Sequence, residues 1–163
     1  MSIAAQIIEI ARSLGLRITT AESCTGGMVS AALTDIAGSS AVFERGFVTY
    51  SNTAKAEMLN VSPATLQSFG AVSEAVACEM ARGALEAARA QIAVSISGIA
   101  GPGGSDHKPE GRVCFAIATK SFDATIDLWS ETVEFGARGR AAVRAAACDH
   151  ALMMILNAAL IKA

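Results

Sequence analysis

Between Leu16 and Ile36 a short apolar run ends in small hydroxyl residues and two glycines, then turns directly into an amphipathic helix. Leu16 to Ala21 reads as a strand. Residues 25–36 place Met28, Val29, Ala32, Leu33 and Ile36 on one face at helical spacing. A strand that enters a helix across so short a turn fits a chain whose helices lie against a sheet. It also aims the first N–H groups of the helix at one spot, where negative charge is favoured.

The rest of the chain extends this pattern. Ile3, Ile7, Ile8, Ala11 and Leu14 predict a helix over 3–14, stopped by Gly15. Val42 to Tyr50 reads as a strand interrupted by Glu44, Arg45 and Gly46. Asn52 is placed to cap a short helix over 52–59, and Pro63 to open another helical turn. Ser73 caps a long helix to about Arg89. Ile92 to Ser97 is β-branched and apolar, as a central strand would be. Residues 98–111 hold five glycines and two prolines and read as a long loop or lid. Arg112–Thr119 and Thr125–Val133 read as a hairpin, and Arg138 to about Ile161 as an alanine-rich helix. The expected fold is α/β: a single three-layer α/β/α domain over residues 1–163 with a mixed, mainly parallel sheet.

Composition narrows the function classes. A chain of 163 residues, 52% hydrophobic and 17% charged, can bury a sizeable core and is not disordered. A net charge of −2 gives no footprint for nucleic acid. Without about 18 uninterrupted apolar residues, no membrane span is expected. Met1 to Ile10 reads as a helix rather than a signal peptide, so the expected location is cytoplasmic. Cys24, Cys78, Cys114 and Cys148 are widely spaced, which disfavours a disulfide framework or a cysteine metal site. His107 and His150 are the only histidines, too few for much Ser-His-Asp or histidine-metal chemistry. No metal and no cofactor are expected.

Three loops follow the carboxyl ends of strands: 21–27, 50–55 and 98–105. Open α/β sheets bind ligands at that edge, so these loops are expected to converge. Ser23 either caps the helix or, with Thr25 as the cap, is free to react. Glu22 reads as an acid/base, as an acceptor for a substrate hydroxyl, or as a solvated turn carboxylate. Cys24 near a helix start could be a nucleophile but has no histidine near it in sequence. Tyr50 ends a strand, and Lys55 lies one turn after Asn52. Lys55 is either a surface lysine or, in a cleft, a base for serine, because a Ser–Lys pair substitutes for Ser-His-Asp. The glycine loop either brings N–H groups close to a ligand or forms a lid without contacts. Arg138 and Arg144 either reach a phosphate or face solvent.

The stretches TAESCTGG at 20–27, GSSAVFERGFVTYSNTAK at 38–55, GAVSE at 70–74 and SISGIAGPGG at 95–104 resemble the C-terminal domain of the competence/damage-inducible CinA family. The resemblance spans essentially the whole chain, with the motifs in the same order. Stand-alone members of that family are nicotinamide-mononucleotide amidohydrolases. The resemblance therefore implies metal-free Ser/Lys hydrolysis of that carboxamide, giving nicotinate mononucleotide and ammonia in pyridine-nucleotide salvage. It implies Ser23 as nucleophile, Lys55 as base, Tyr50 as a neighbouring hydroxyl and Ser40 as a further site residue. With those roles, the helix start at Thr25, Gly26 and Gly27 stabilises the oxyanion and Glu22 contacts substrate. Gly98, Ala100 and Gly101, with Arg138 or Arg144, are then expected to hold the ribose phosphate. The chain has Gly136-Ala137-Arg138 where the family often has Gly-Asp-Arg. The alternatives are a non-catalytic nucleotide or phosphosugar binder and an interaction domain in competence or DNA-damage responses. The expected partners are a small-molecule nucleotide and a second copy of the chain, a dimer foremost, with no nucleic acid and no membrane.

Overall fold

In the computed structural model, which describes residues 1–105 and 107–163, the chain runs α1 (Ile3–Leu14), β1 (Ile18–Glu22), α2 (Met28–Thr34), a single 3₁₀ turn (Ser39–Ala41), β2 (Phe43–Val48), α3 (Asn52–Leu59), α4 (Pro63–Phe69), α5 (Glu74–Ala88), β3 (Ile92–Gly98), β4 (Arg112–Lys120), β5 (Ile126–Glu134) and α6 (Arg140–Lys162). Asp106, inside the expected 98–111 loop, lies outside the described residues.

The strands form one sheet in the order β2-β1-β3-β4-β5. β1 pairs parallel with β2 and with β3, while β4 pairs antiparallel with both β3 and β5. The sheet is therefore mixed: four strands share one direction and β4 runs against them. β3 is central, and six of its seven residues are buried, which is why Ile92–Ser97 is continuously apolar or small.

Helices cover both faces. Ile7, Ile8 and Ala11 of α1, Val29 and Leu33 of α2, and Val143, Ala147 and Ile155 of α6 pack on Ile18, Val94, Ile96 and Phe115. On the other face Leu59 of α3 and Val76, Met80, Ala84 and Leu85 of α5 pack on Ala21, Ala93, Cys114 and Ala116. Small residues on this second face let α5 lie close to the sheet. α5 also lies close to α3: a Cβ on Gly83 would sit 2.0 Å from the Leu59 carbonyl oxygen. Glycine there sets the height of α3 above the sheet, and with it the position of Lys55.

Two helix starts and one helix cap differ from the sequence reading. Helix α2 begins at Met28 rather than 25, because Gly26 and Gly27 hold left-handed backbone in the turn. Helix α3 is capped by Ser51, whose Oγ accepts the Ala54 N–H, and not by Asn52. Helix α6 begins at Arg140, after Gly139. Its 23 residues, with mean hydropathy 1.3 over the best 18-residue window, are long and apolar enough to cross a membrane by length and composition; half of that window is buried inside the domain.

Candidate active site

The parallel strands β1 and β3 end side by side, and the chain leaving β1 is tied to β3 where the Ser23 N–H donates to the Ile96 carbonyl at 2.9 Å. The turn then closes on itself, Gly26 N–H to Ser23 O at 3.0 Å and Met28 N–H to Thr25 O at 3.1 Å. Arg144, reaching across from α6, donates Nε to Cys24 O at 3.0 Å and Nη2 to Thr25 O at 3.3 Å. The turn that presents Ser23 is thus held by the sheet on one side and by a guanidinium on the other.

Lys55 Nζ lies 3.0 Å from Ser23 Oγ and donates to the Thr49 carbonyl at 2.8 Å. Lys55 is 1% exposed and Ser23 8%. Among the described residues no carboxylate forms a salt bridge with this lysine. Burial without a counter-charge disfavours the ammonium, and the Lys55 pKa falls from 10.5 to about 8, opposed slightly by nearby Cys24. A neutral amine beside a serine hydroxyl is a base in reach of its proton. Burial pushes the Cys24 thiol the other way, up to about 11, so Cys24 is protonated near neutral pH and is a poor nucleophile.

Glu22 takes neither a substrate-contacting nor a solvated role. It is fully buried, and its carboxylate accepts N–H groups of Gly27 at 3.2 Å, Val29 at 3.0 Å and Ser30 at 3.0 Å, together with the Ser30 hydroxyl at 2.8 Å. It caps α2 from below, in place of Ser23 or Thr25. The N–H groups of Gly26, Gly27, Met28, Val29 and Ser30 are therefore filled, so Gly26 and Gly27 bring no free donor to the expected oxyanion role, while the Thr25 N–H has no oxygen acceptor among the described residues.

Three loops converge as expected on a cavity of about 340 Å³ lined by Ser23, Tyr50, Lys55, Gly98, Ala100 and Gly101, among others. Arg140, absent from the sequence reading, also lines it. Its Nη1 donates to Gly101 O at 2.8 Å and its Nη2 to Tyr50 Oη at 2.8 Å. Thr25, Gly26, Gly27 and Arg144 form the turn and its support behind the cavity. Arg138 is exposed on the approach to α6 and does not line it. Ser40 is exposed in the 3₁₀ turn before β2, so it lies at the amino edge of the sheet, opposite the cavity. A larger cavity, about 630 Å³, lies between β5 and α6 around Trp129, Met153 and His150. It contains none of the Ser23–Lys55 machinery, so chemistry rather than volume picks the site.

A family model described as the CinA C-terminal domain matches residues 1–159. The chain belongs to this family. Over 120 residues it is 62% identical to the nicotinamide-nucleotide amidohydrolase PncC of Escherichia coli K12, covering 73% of each chain. It is also 57% identical over 112 residues to a CinA-like protein of Chlorobium limicola, of which the match covers 26%. Among solved structures, a competence/damage inducible protein from Agrobacterium tumefaciens superposes with a TM-score of 0.87 at 49% identity, over 95% of this chain and 93% of that one. A CinA superfamily protein from Klebsiella pneumoniae superposes with a TM-score of 0.88 at 38% identity, over 97% and 96%.

Proposed function

We propose that the chain is an amidohydrolase that converts nicotinamide mononucleotide to nicotinate mononucleotide and ammonia through a Ser23–Lys55 pair. The amidohydrolase class rests on the 62% identity to proteins that carry that name. The mechanism rests on one observation: a buried lysine with no carboxylate partner among the described residues, 3.0 Å from a serine hydroxyl. Neutral Lys55 takes the Ser23 proton as Oγ attacks the carboxamide carbon. The ammonium of Lys55 then protonates the departing nitrogen, ammonia leaves, and water attacks the acyl-enzyme with Lys55 again as base. Because Glu22 fills the start of α2, the donors left for the oxyanion are backbone groups facing the cavity. The N–H of Cys24, next to the nucleophile, and that of Ala100 have no oxygen acceptor among the described residues.

Ammonia release from nicotinamide mononucleotide tests the reaction; binding without turnover would favour a non-catalytic binder. The pH profile tests the base. Lys55 must be neutral, so kcat/KM should rise about tenfold per pH unit below about pH 8 and level off above it. A profile flat from pH 6 to 9 would remove lysine from this role.

Arg140 supplies the cation that Arg138 and Arg144 do not bring to the cavity. Arg140→Ala should raise KM about 10- to 100-fold while changing kcat little, the range expected for losing one charged hydrogen-bonding group. The same reading includes a homodimer, supported by exposed Trp129, Met153 and Ile161 along β5 and α6, and a cytoplasmic setting, supported by four free cysteines. Light scattering in solution checks the first.

A further inference from the structure

The glycine-rich segment between β3 and β4 is tied down on both sides by its own charged side chains. On one side Lys108 Nζ donates to the carbonyls of Phe69 at 2.8 Å and Val72 at 2.5 Å, at the α4–α5 junction that gives Ala71 and Val72 to the cavity wall. On the other side the Glu110 carboxylate accepts the Gly103 N–H on Oε1 at 2.6 Å and the Gly139 N–H on Oε2 at 3.2 Å. Gly139 is the residue from which α6 starts, and the next residue is Arg140, which reaches Gly101 O and Tyr50 Oη. The loop backbone rests directly on the carboxyl group: a Cβ at Gly101 would lie 2.5 Å from it.

We propose that Glu110 is a positioning residue for the anionic end of the substrate, setting the distance between the glycine loop and Arg140 by bridging Gly103 to Gly139. The proposal rests on the reading that the cavity takes a phosphate monoester. Glu110 is bonded to neither Ser23 nor Lys55, so its effect falls on binding rather than on bond cleavage. By occupying the Gly103 and Gly139 amides it also removes them as phosphate donors and leaves that task to Arg140 and other loop amides. Only a carboxylate accepts on both oxygens. Glutamine keeps one of the two bonds and alanine keeps neither.

The test compares wild type, Glu110→Gln and Glu110→Ala with two readouts. Amide hydrogen exchange on the free protein should be about tenfold faster at Gly103 and Gly139 in Glu110→Ala, with Glu110→Gln between. KM for nicotinamide mononucleotide should rise about tenfold in Glu110→Ala with kcat within about threefold, while KM for the nucleoside lacking the phosphate stays unchanged. Unchanged exchange at both amides, an equal KM rise for nucleoside and nucleotide, or a fall in kcat alone would each overturn the proposal. If wild type turned over neither compound, the reaction assigned above would fail by itself. The exchange measurement and calorimetric binding of the mononucleotide would still decide the role of Glu110. If Glu110→Ala does not fold, Glu110→Gln carries both readouts.

Discussion

Ser23→Ala and Lys55→Met should each lower ammonia release by about 10⁴-fold or more, and the double variant should be no slower than either single one, as when nucleophile and base act as a unit. The two variants separate in stability. Wild type keeps a lysine buried with no carboxylate beside it among the described residues, and burial lowers its pKa from 10.5 to about 8. Below about pH 8 the folded protein carries a charge that folding disfavours, so the penalty is fully present there. It fades as pH rises from about 8 to 10.5, where the unfolded lysine also loses its proton. Lys55→Met removes that penalty. The stability difference between variant and wild type should therefore shift in favour of wild type by about 3 kcal/mol between pH 7 and pH 10.5. The unpaired Thr49 carbonyl costs the variant about 1–3 kcal/mol at every pH and cancels from the slope. Thermal melts of both proteins across this range measure it. A difference independent of pH would mean that Lys55 is not depressed, and the base assignment would fall with it.

Glu22→Ala should destabilise the fold by about 3–5 kcal/mol, the scale of removing one partner from a buried charged network. It deletes four acceptor contacts at once and leaves N–H groups of Gly27, Val29 and Ser30 unpaired at the start of α2. Glu22→Gln keeps the shape and one acceptor oxygen and should lose about half as much. Because the same turn carries Ser23, Glu22→Ala should also lower activity at temperatures where it remains folded. Urea titration gives the first result; a loss under about 1 kcal/mol would rule out Glu22 as the cap.

What could be read from the sequence follows from where the information lies. The helical spacing of Ile3, Ile7, Ile8 and Ala11, the Ser73 cap and the apolar Ile92–Ser97 run are local signals, and each marks an element close to its place. The convergence of three loops follows from sheet topology alone. The environments of single side chains do not. A glutamate in a polar turn looks solvated until the helix after it is seen to fold over its carboxylate. Lys55 looks like a surface lysine until Gly83 brings α3 down onto α5. Among Arg138, Arg140 and Arg144, only the position of Gly139 decides which residue opens α6 and faces Tyr50, and glycine preceding a helix is a weak signal by itself.

The three-layer arrangement divides labour. Lys55 comes from the layer of α3, α4 and α5, Arg140 and the Arg144 brace come from the layer of α1, α2 and α6, and Ser23 stands at the sheet edge between them. On the proposed reading, proton transfer and recognition are thus mounted on separate layers that meet at the sheet and at the glycine loop. On that reading, exchanging the first turn of α6 should retune substrate preference and leave the layer that carries Lys55 in place.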